Sequence, residues 1–305
     1  MKYRDLAFFL ICVLWSIGSG FAEDSLPKRI VSLSPVVTEE LFLLGAGERV
    51  VGRTHYCTKP PEAKTIEEVG NVLEISMEKI VALHPDLVVV TSMTNPRIKE
   101  KLKQFAIPVE EFPAATGFQG LCDSFLRLGK IVGKEKEAQS MVTTAQKEVE
   151  MLRQRPRVSS TPSVFLQVGA DPLVTMIRNS FLDDLIVFSG GINMAHEAKR
   201  QLYSREKVLE SNPDIIIIVS MGFDGEKEKK IWQGYPALKA VQKGAIYTVD
   251  SDLYCAPTPL TFVTALKSMI QLLHPDEEAS LRAVKTAKQS QHEIATPPAE
   301  ARDDR

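Results

Sequence analysis

Three consecutive residues, His55, Tyr56 and Cys57, place an imidazole, an aromatic ring and a thiol in one short stretch. Imidazole nitrogen and thiolate sulfur bind transition metals, and an aromatic ring can stack on a flat molecule. The stretch therefore favours contact with a bulky ligand that carries a metal. A polar loop with an incidental cysteine would explain the same residues. Tyr254 and Cys255 repeat the aromatic–thiol pair later in the chain, so the two cysteines could approach each other across a cleft.

Glu78 and Glu206 are a second pair of interest, because each follows a serine by two residues. A serine at that spacing is an N-cap, which places each glutamate in the first turn of a helix. The helix dipole stabilises a carboxylate there by about 0.3–1 kcal/mol, and this explains the pair without any function. The alternative is that the two carboxylates, one in each half of the chain, bind basic residues of a partner.

Both glutamates belong to an internal repeat. Residues 76–92 align without gaps on residues 204–220, and Ser, Glu, Lys, Pro, Asp and the final Ser are identical in the two copies. Each copy predicts a helix, a Pro-Asp corner and an apolar strand. Two unrelated α/β units could resemble each other to this degree, but the gapless match favours a chain built from two similar halves.

Short apolar strands alternate with helices in both halves, which is typical of a parallel sheet covered by helices. We predict an α/β lobe over residues 28–133 and another over residues 163–274. Residues 134–155 carry one apolar stripe at three- and four-residue spacing and predict a single linking helix. Residues 53–75 are predicted to be a long loop. The predicted fold class is α/β, with two lobes that have central parallel sheets joined by one long helix.

Both ends of the chain lie outside this predicted fold. Residues 1–22 combine a positively charged start, an apolar run and small residues, the pattern of a secretory signal cleaved after Ala22. Retention of that segment as an anchor is the alternative. Residues 276–305 are polar and predict a disordered tail. The exported chain keeps three cysteines, which allow at most one intrachain disulfide: Cys57, Cys122 and Cys255.

Composition and missing motifs narrow the function. The chain has 305 residues and a net charge of -2, whereas a nucleic-acid-binding protein normally has a basic excess. It has no phosphate-binding loop, no nucleophile elbow, no His-Glu-x-x-His motif and no Cys or His spacing of the zinc type. We therefore expect no nucleic-acid partner, no enzymatic activity, no resident cofactor and no metal site.

Ligand contacts are expected in the loops that follow strands, because open α/β sheets bind ligands beyond the carboxyl ends of their strands. These loops mix aromatic, thioether, hydroxyl and amide groups, which suit a bulky and partly apolar ligand better than a bare ion. The candidate ligand-binding residues in them are Ser34, His55, Tyr56, Cys57, Thr94, Phe223 and Tyr254.

Ten short segments in both halves together form a family pattern. They are Arg29-Ile-Val-Ser-Leu-Ser-Pro, Thr38-Glu39, Leu43-Leu44-Gly45, Val51-Gly52, Tyr56, Pro60-Pro61, Met77 to Asp86, Val164-Phe-Leu-Gln-Val-Gly, Ser204-Arg-Glu and Ser251-Asp. They resemble the cobalamin and ferric-siderophore class of periplasmic solute-binding proteins of ABC importers, and its cobalamin-binding members most. The resemblance covers about residues 28–274. It implies two α/β lobes bridged by one long helix, a ligand between them and a limited closing motion.

The resemblance also implies roles for individual residues. In this class one acidic residue per lobe docks on arginines of the membrane permease, and those positions fall on Glu78 and Glu206. Cobalamin-binding members place tryptophans in the cleft at positions near Val72 and Arg200 here, and Tyr56 matches an aromatic cleft position. Arg200 is therefore a further candidate ligand-binding residue, and its charge would suit an anionic or propionate-bearing chelate.

Together these inferences predict a monomeric periplasmic protein that captures a corrinoid between two lobes and delivers it to an ABC permease dimer at the inner membrane. The same role for a ferric siderophore or haem is one alternative. An exported metal-dependent enzyme or chelatase-like protein, with His55, Cys57 and Cys255 as metal ligands, is another. A membrane-tethered sensor is a third alternative, which would require that the signal segment is retained.

Overall fold

The computed structural model describes residues 26–71, 74–155 and 161–275. The predicted signal segment, the predicted polar tail and Val72 lie outside the described residues. The first lobe holds a five-stranded parallel sheet in the order β3-β2-β1-β4-β5. Its strands are β1 (Ile30–Ser32), β2 (Val50–Thr54), β3 (Glu67–Gly70), β4 (Leu87–Thr91) and β5 (Val109–Phe112), and its helices are α1 (Pro35–Leu43), α2 (Met77–Ala82), α3 (Pro96–Gln104) and α4 (Phe118–Ile131).

Strand β3 lies within the stretch that we predicted as a loop. Its sequence Glu-Glu-Val-Gly has one fully buried side chain, Val69, because β3 is the edge strand of the first sheet. An edge strand with little apolar content leaves no apolar run to recognise. The same stretch contains the short 3-10 turn Pro61–Thr65, and a second such turn, Gly47–Arg49, precedes β2.

The second lobe holds a sheet in the order β10-β9-β6-β7, in which β8 also pairs with β6. All of its pairings are parallel except the one between β6 and β7. The predicted α/β class is confirmed, with this one antiparallel strand added. The elements are β6 (Ser163–Ala170), β7 (Leu173–Thr175), β8 (Ile192–Asn193), β9 (Ile215–Val219), β10 (Ile246–Val249), α6 (Phe181–Phe188), α7 (Arg205–Ser211), α8 (Gly225–Gln233), α9 (Lys239–Gln242), α10 (Ser251–Tyr254) and α11 (Pro259–Leu273).

Helix α5 (Glu135–Arg153) connects the two lobes and buries an apolar stripe against α4 and α11. The stripe belongs to one continuous core that extends into both lobes. Phe118 of the first lobe stacks on Phe262 of the second, with ring centroids 4.6 Å apart. The backbone N–H of Phe118 also donates to Asp184 Oδ2 of the second lobe at 2.7 Å. The lobes are therefore joined by packed side chains, which favours a stiff connection over a free hinge.

The internal repeat has the same structural role in both lobes. Ser76 and Ser204 are N-caps, and their hydroxyl oxygens accept hydrogen bonds from the N–H groups of the residues three positions later. Asp86 accepts hydrogen bonds from the N–H groups of Lys28 and Arg29, at the start of β1. Asp214, at the matching position, accepts from the N–H and hydroxyl of Ser163 at the start of β6. The repeated Pro-Asp corner thus attaches one strand to the next, and the identical aspartates are explained by structure.

We expect Asp214→Asn to lower the free energy of unfolding by about 1–3 kcal/mol at pH 7, because the charge-assisted hydrogen bonds lose the charge. Hydrogen bonds from Lys243 and Ser163 outweigh the opposing effect of burial and hold the pKa of Asp214 below its ordinary value. A lowered pKa stabilises the fold fully above the ordinary aspartate pKa. That stabilisation begins to fall as the pH drops below about 4 and is gone only below the lowered pKa of Asp214 itself, so the loss caused by the substitution is smaller at pH 3 than at pH 7. Urea unfolding at pH 7 and pH 3 checks this. An equal loss at both pH values would contradict it.

Candidate functional site

The carboxyl ends of the parallel strands define one functional edge in each lobe. We call the segments that follow these strands the cleft loops: residues 33–34, 55–60 and 92–95 in the first lobe, and residues 220–224 and 250–258 in the second. Lys59 Nζ lies 3.6 Å from Asp252 Oδ2 and also contacts the backbone carbonyl of Asp252 at 3.4 Å. These contacts join residues 193 positions apart in the chain. The two functional edges therefore approach each other, and we call the region between them the cleft.

The rim of the cleft is acidic. Glu39 on α1 interacts electrostatically with both Lys59 and Asp252. Burial raises the pKa of Glu39, Lys59 opposes that rise, and the Asp252 carboxylate adds to it. Asp250 and Asp252 in turn act on Cys255, and burial together with these carboxylates raises the pKa of that thiol to about 11. One ammonium thus faces several carboxylates at this end of the cleft.

Exposed apolar side chains also collect in this region. Tyr56 follows β2, Met93 follows β4, Met221 follows β9, and Leu202 forms an isolated bridge with β7 through Val174. Their exposed fractions range from 53% to 80%. Large apolar side chains exposed on both lobes are typical of a surface that binds a partly apolar molecule.

Four of the predicted ligand-binding residues have accessible side chains. Tyr56 is exposed, and the ring of His55 meets it edge to face at a centroid distance of 5.4 Å. His55 Nδ1 lies 3.2 Å from Glu68 Oε2, which orients the imidazole. Arg200 is exposed and Phe223 is half-buried against the second lobe's own core. Tyr56, His55 and Phe223 lie in cleft loops, whereas Arg200 lies in the segment between β8 and α7.

The other four predicted ligand-binding residues are buried in this structure, and their role in ligand contact stays a prediction. Ser34 is the N-cap of α1, and the hydroxyl oxygen of Thr94 accepts a hydrogen bond from the Thr91 N–H. Cys57 is fully buried, with Sγ 3.1 Å from Thr54 Oγ1. The Tyr254 hydroxyl points to the carbonyl of Ala265 at 3.4 Å, and burial raises its pKa. All four side chains are packed in the interior or take part in local hydrogen bonds.

The three described cysteines are free thiols. Burial raises the pKa of Cys122 to about 12 and that of Cys255 to about 11, which disfavours the thiolate that binds metals. Within the described residues, no three His, Cys, Asp or Glu side chains are grouped so that they could hold a metal ion. In the described structure His55, Cys57 and Cys255 are therefore not grouped as a metal centre would require.

Glu78 and Glu206 occupy equivalent places on the two lobes. Each is exposed in the first turn of a helix, α2 or α7, whose C-terminal end leads into the amino end of a strand. The N-terminal end of each helix consequently lies at the functional edge, beside the cleft loops. A backbone hydrogen bond and the Ser204 hydroxyl lower the pKa of Glu206. Among the residues that the structure describes, neither glutamate has an ion-pair partner: Lys79 binds Glu67, and Lys207 lies over the Tyr203 ring.

A buried polar cluster supports the helix that carries Glu206. Glu228 Oε2 accepts hydrogen bonds from Arg205 at 2.8 Å and from Gln167 at 2.9 Å. Trp232 Nε1 donates to Gln167 Oε1 at 2.7 Å, and the Arg205 guanidinium lies 4.7 Å from the Trp232 ring centre. We call Arg205, Glu228, Gln167 and Trp232 the Arg205 cluster. It fixes the first turn of α7 to β6 and α8.

Sequence reasoning missed the rim residues Glu39, Lys59 and Asp252 as a group. Glu39 and Asp252 belong to recognised segments, but nothing in their spacing connects them. The sequence did contain a signal for the exposed methionines, because the internal repeat continues by one residue to Met93 and Met221. A surface depression lined by residues 135–147 lies on α5, and because one helix supplies its whole lining it is open surface.

Comparisons with known proteins agree with this geometry. The family described as periplasmic binding protein matches residues 30–253. The chain is 28% identical over 260 residues to an uncharacterised ABC transporter substrate-binding lipoprotein of Bacillus subtilis, with 82% of this chain and 81% of that protein covered. It is also 28% identical over 267 residues to the vitamin B12-binding protein of Pectobacterium carotovorum, with 86% and 94% covered.

A comparison with solved structures also finds periplasmic binding proteins. The periplasmic heme-binding protein of Roseiflexus in its apo form superposes with a TM-score of 0.71 at 25% identity, and the match covers 81% of this chain and 98% of that one. In the part of the chain that the structure describes, no helix has the length and apolar character needed to cross a membrane.

Proposed function

Since the chain belongs to the periplasmic binding protein family and is a substrate-binding protein of an ABC importer, we propose that its substrate is a corrinoid, held between the two lobes and delivered to a permease dimer. The observation that carries this proposal is the pair of facing functional edges, which combine exposed apolar side chains with an acidic rim. Because homologues are binding proteins and not enzymes, the exported-enzyme alternative is dropped.

The apolar part of the site suits a large macrocycle. Tyr56 on the first lobe offers an exposed aromatic face, and Phe223 on the second lobe offers part of its ring. Aromatic rings gain energy by stacking on extended flat molecules. The stiff packing of α4, α5 and α11 supports a preformed cleft that closes little, and a preformed site reduces the entropy lost on binding.

The charge of the rim favours a corrinoid over an anionic chelate. A corrinoid carries many neutral amide groups, which can donate hydrogen bonds to carboxylates and accept them from an ammonium. Glu39, Asp252 and Lys59 supply both kinds of partner. A ligand rich in carboxylates would meet like charges at this rim. The vitamin B12-binding relatives support the same choice.

Haem is the second candidate, and a different observation favours it. Lys199 and Arg200 are both exposed, and two adjacent cations could bind the propionates of a haem. The similar solved structure from Roseiflexus is named a heme-binding protein. A ferric siderophore would use the same cations through its anionic groups. These candidates would engage the segment between β8 and α7, whereas the corrinoid proposal rests on the cleft loops.

Calorimetry with cobalamin, cobinamide, haem and ferric siderophores tests the proposal. We expect a corrinoid to bind most tightly, because the acidic rim opposes the anionic chelates. If none of the panel binds more tightly than about 10 μM, roughly -6.8 kcal/mol, the chelate-binding function is wrong. If haem or a siderophore binds most tightly, the second candidate replaces the first.

Tyr56→Ala is expected to weaken corrinoid binding about tenfold, or about 1.4 kcal/mol, because a stacking partner is lost. Phe105→Ala is the matched control. Phe105 is as exposed as Tyr56, at 56% against 57%, but follows the C-terminal end of α3, at the opposite edge of the sheet. Equal effects of the two substitutions, measured by calorimetry, would exclude a stacking role for Tyr56.

Delivery requires contact with the permease. Glu78 and Glu206 support this step because both carboxylates flank the cleft, are exposed and occupy equivalent positions in two similar lobes. A two-lobed protein placed over a two-fold symmetric permease presents the same chemistry twice. The family implies an exported protein. We propose further that it is a monomer in the periplasm, released by cleavage after Ala22.

A further inference from the structure

The internal repeat extends one residue beyond the strands, to Met93 in the first lobe and Met221 in the second. Both follow a serine, and both lie two residues after the last residue of a strand. The number of positions between them equals the number between Glu78 and Glu206. The structure therefore places one thioether at the same position of each lobe.

These positions are the switch points of the two sheets. In the first sheet the chain runs outward from β1 to β2 and β3 on one side, and through β4 to β5 on the other. In the second sheet β7 and β8 lie on one side of β6, and β9 and β10 lie on the other. A ligand of an open α/β sheet binds at such a point, beyond the carboxyl ends of the strands. Met93 follows β4 and Met221 follows β9, the strands next to the two switch points.

Both methionines are open to solvent. Met93 is 80% exposed and Met221 is 53% exposed, whereas Met269 is buried and Met77, Met141, Met176 and Met194 are half-buried. Of the methionines that the structure describes, one more is exposed: Met151, at 62%, on helix α5. The thioether side chain is flexible and polarisable, so it adapts its shape to an apolar surface and packs well against π-systems.

We propose that Met93 and Met221 hold the substrate from opposite lobes, with one thioether packed against each side of the bound molecule. This inference rests on the proposed function and names two of the residues that would determine specificity for a large, partly apolar chelate. The two lobes provide the opposing walls, and the Lys59–Asp252 contact shows that their loops face each other. A thioether from each wall would select for a large, polarisable ligand, because a small polar solute would leave both side chains without a packing partner.

Carbon-13 labelling of the methionine methyl groups in the full chain tests this directly, with cyanocobalamin as the probe. We expect the Met93 and Met221 methyl resonances, assigned from the Met93→Leu and Met221→Leu variants, to shift on binding, and that of Met151 to stay in place. Met93→Ala and Met221→Ala should each raise the Kd about twofold to tenfold, and the double variant by about the product. The leucine variants keep the side-chain volume and should bind within about twofold of the unaltered protein.

Met151→Ala is the matched control and should leave the Kd unchanged. The inference is overturned, and the proposed function survives, if cyanocobalamin binds while both methyl resonances stay in place. It is also overturned if Met151→Ala weakens binding as much as the cleft variants do. If no chelate of the panel binds more tightly than about 10 μM, the proposed function fails first and this inference fails with it.

Discussion

A Glu78→Ala/Glu206→Ala protein is expected to bind its substrate normally and to support almost no uptake. Both carboxylates are exposed beside the cleft, and neither has an ion-pair partner among the described residues, so both are available to arginines of a permease. Docking through charged pairs depends on ionic strength, and its loss removes part of the salt dependence of association. Each single variant should weaken association with the permease less than the double variant does.

The matched control is Glu100→Ala/Glu210→Ala, which also removes one exposed carboxylate from each lobe. Both control positions lie inside or at the end of a helix, away from the two N-terminal turns. Substrate binding by calorimetry and uptake into vesicles with the permease separate the two functions. Normal uptake by the Glu78→Ala/Glu206→Ala protein would show that docking uses another surface. A loss of substrate affinity would move these glutamates into the ligand site.

Glu228→Ala is expected to lower the free energy of unfolding by about 2–4 kcal/mol. The substitution leaves the Arg205 guanidinium without its carboxylate, and removal of one partner from a largely buried pair is strongly destabilising. The effect lies at the lower end of the usual range because Arg205 keeps some contact with solvent. Arg205 Nη1 has no partner among the described residues, so Glu228 is the group that compensates this charge. Urea unfolding measures the change.

Glu226→Ala provides the comparison, because Glu226 is exposed in the first turn of α8, the helix that also carries Glu228. This substitution should lower the free energy of unfolding by less than about 1 kcal/mol. The double variant Arg205→Met/Glu228→Met removes both charges and should be more stable than Glu228→Ala. A double variant that is less stable than the single variant would show that packing, and not the uncompensated charge, dominates the effect.

The sequence was sufficient to predict the central strands and the repeated unit. β4 and β9 are buried on both faces. A strand buried on both faces consists of consecutive apolar residues, and such a run is visible in the sequence. The N-cap serines and the helix they begin also depend on local chemistry alone. One element with an exposed face was missed, because β3 has a single fully buried side chain. Its apolar content is too low to distinguish it from a loop.

The candidate site depended on the tertiary structure to a greater extent. Sequence alone was sufficient to propose Tyr56, Glu78 and Glu206 as candidates, because an aromatic loop residue and a first-turn glutamate follow from local position. It could not separate Tyr56 from the adjacent Cys57, which is fully buried because its backbone turns inward against Thr54. The same limit applies to Tyr254, whose burial depends on packing against α11.

The contacts between the two lobes could not be predicted from the sequence. Lys59 and Asp252 are 193 positions apart in the chain but in contact in the fold. No local sequence pattern encodes this contact, because the packing of α4, α5 and α11 brings the two loops together. The equivalence of Met93 and Met221 was visible in the sequence as a repeat, but their position relative to the two sheets could be seen only in the fold. Only the order of the strands in the two sheets places both thioethers at a switch point, since strand order is decided by long-range packing and not by the residues that precede each methionine.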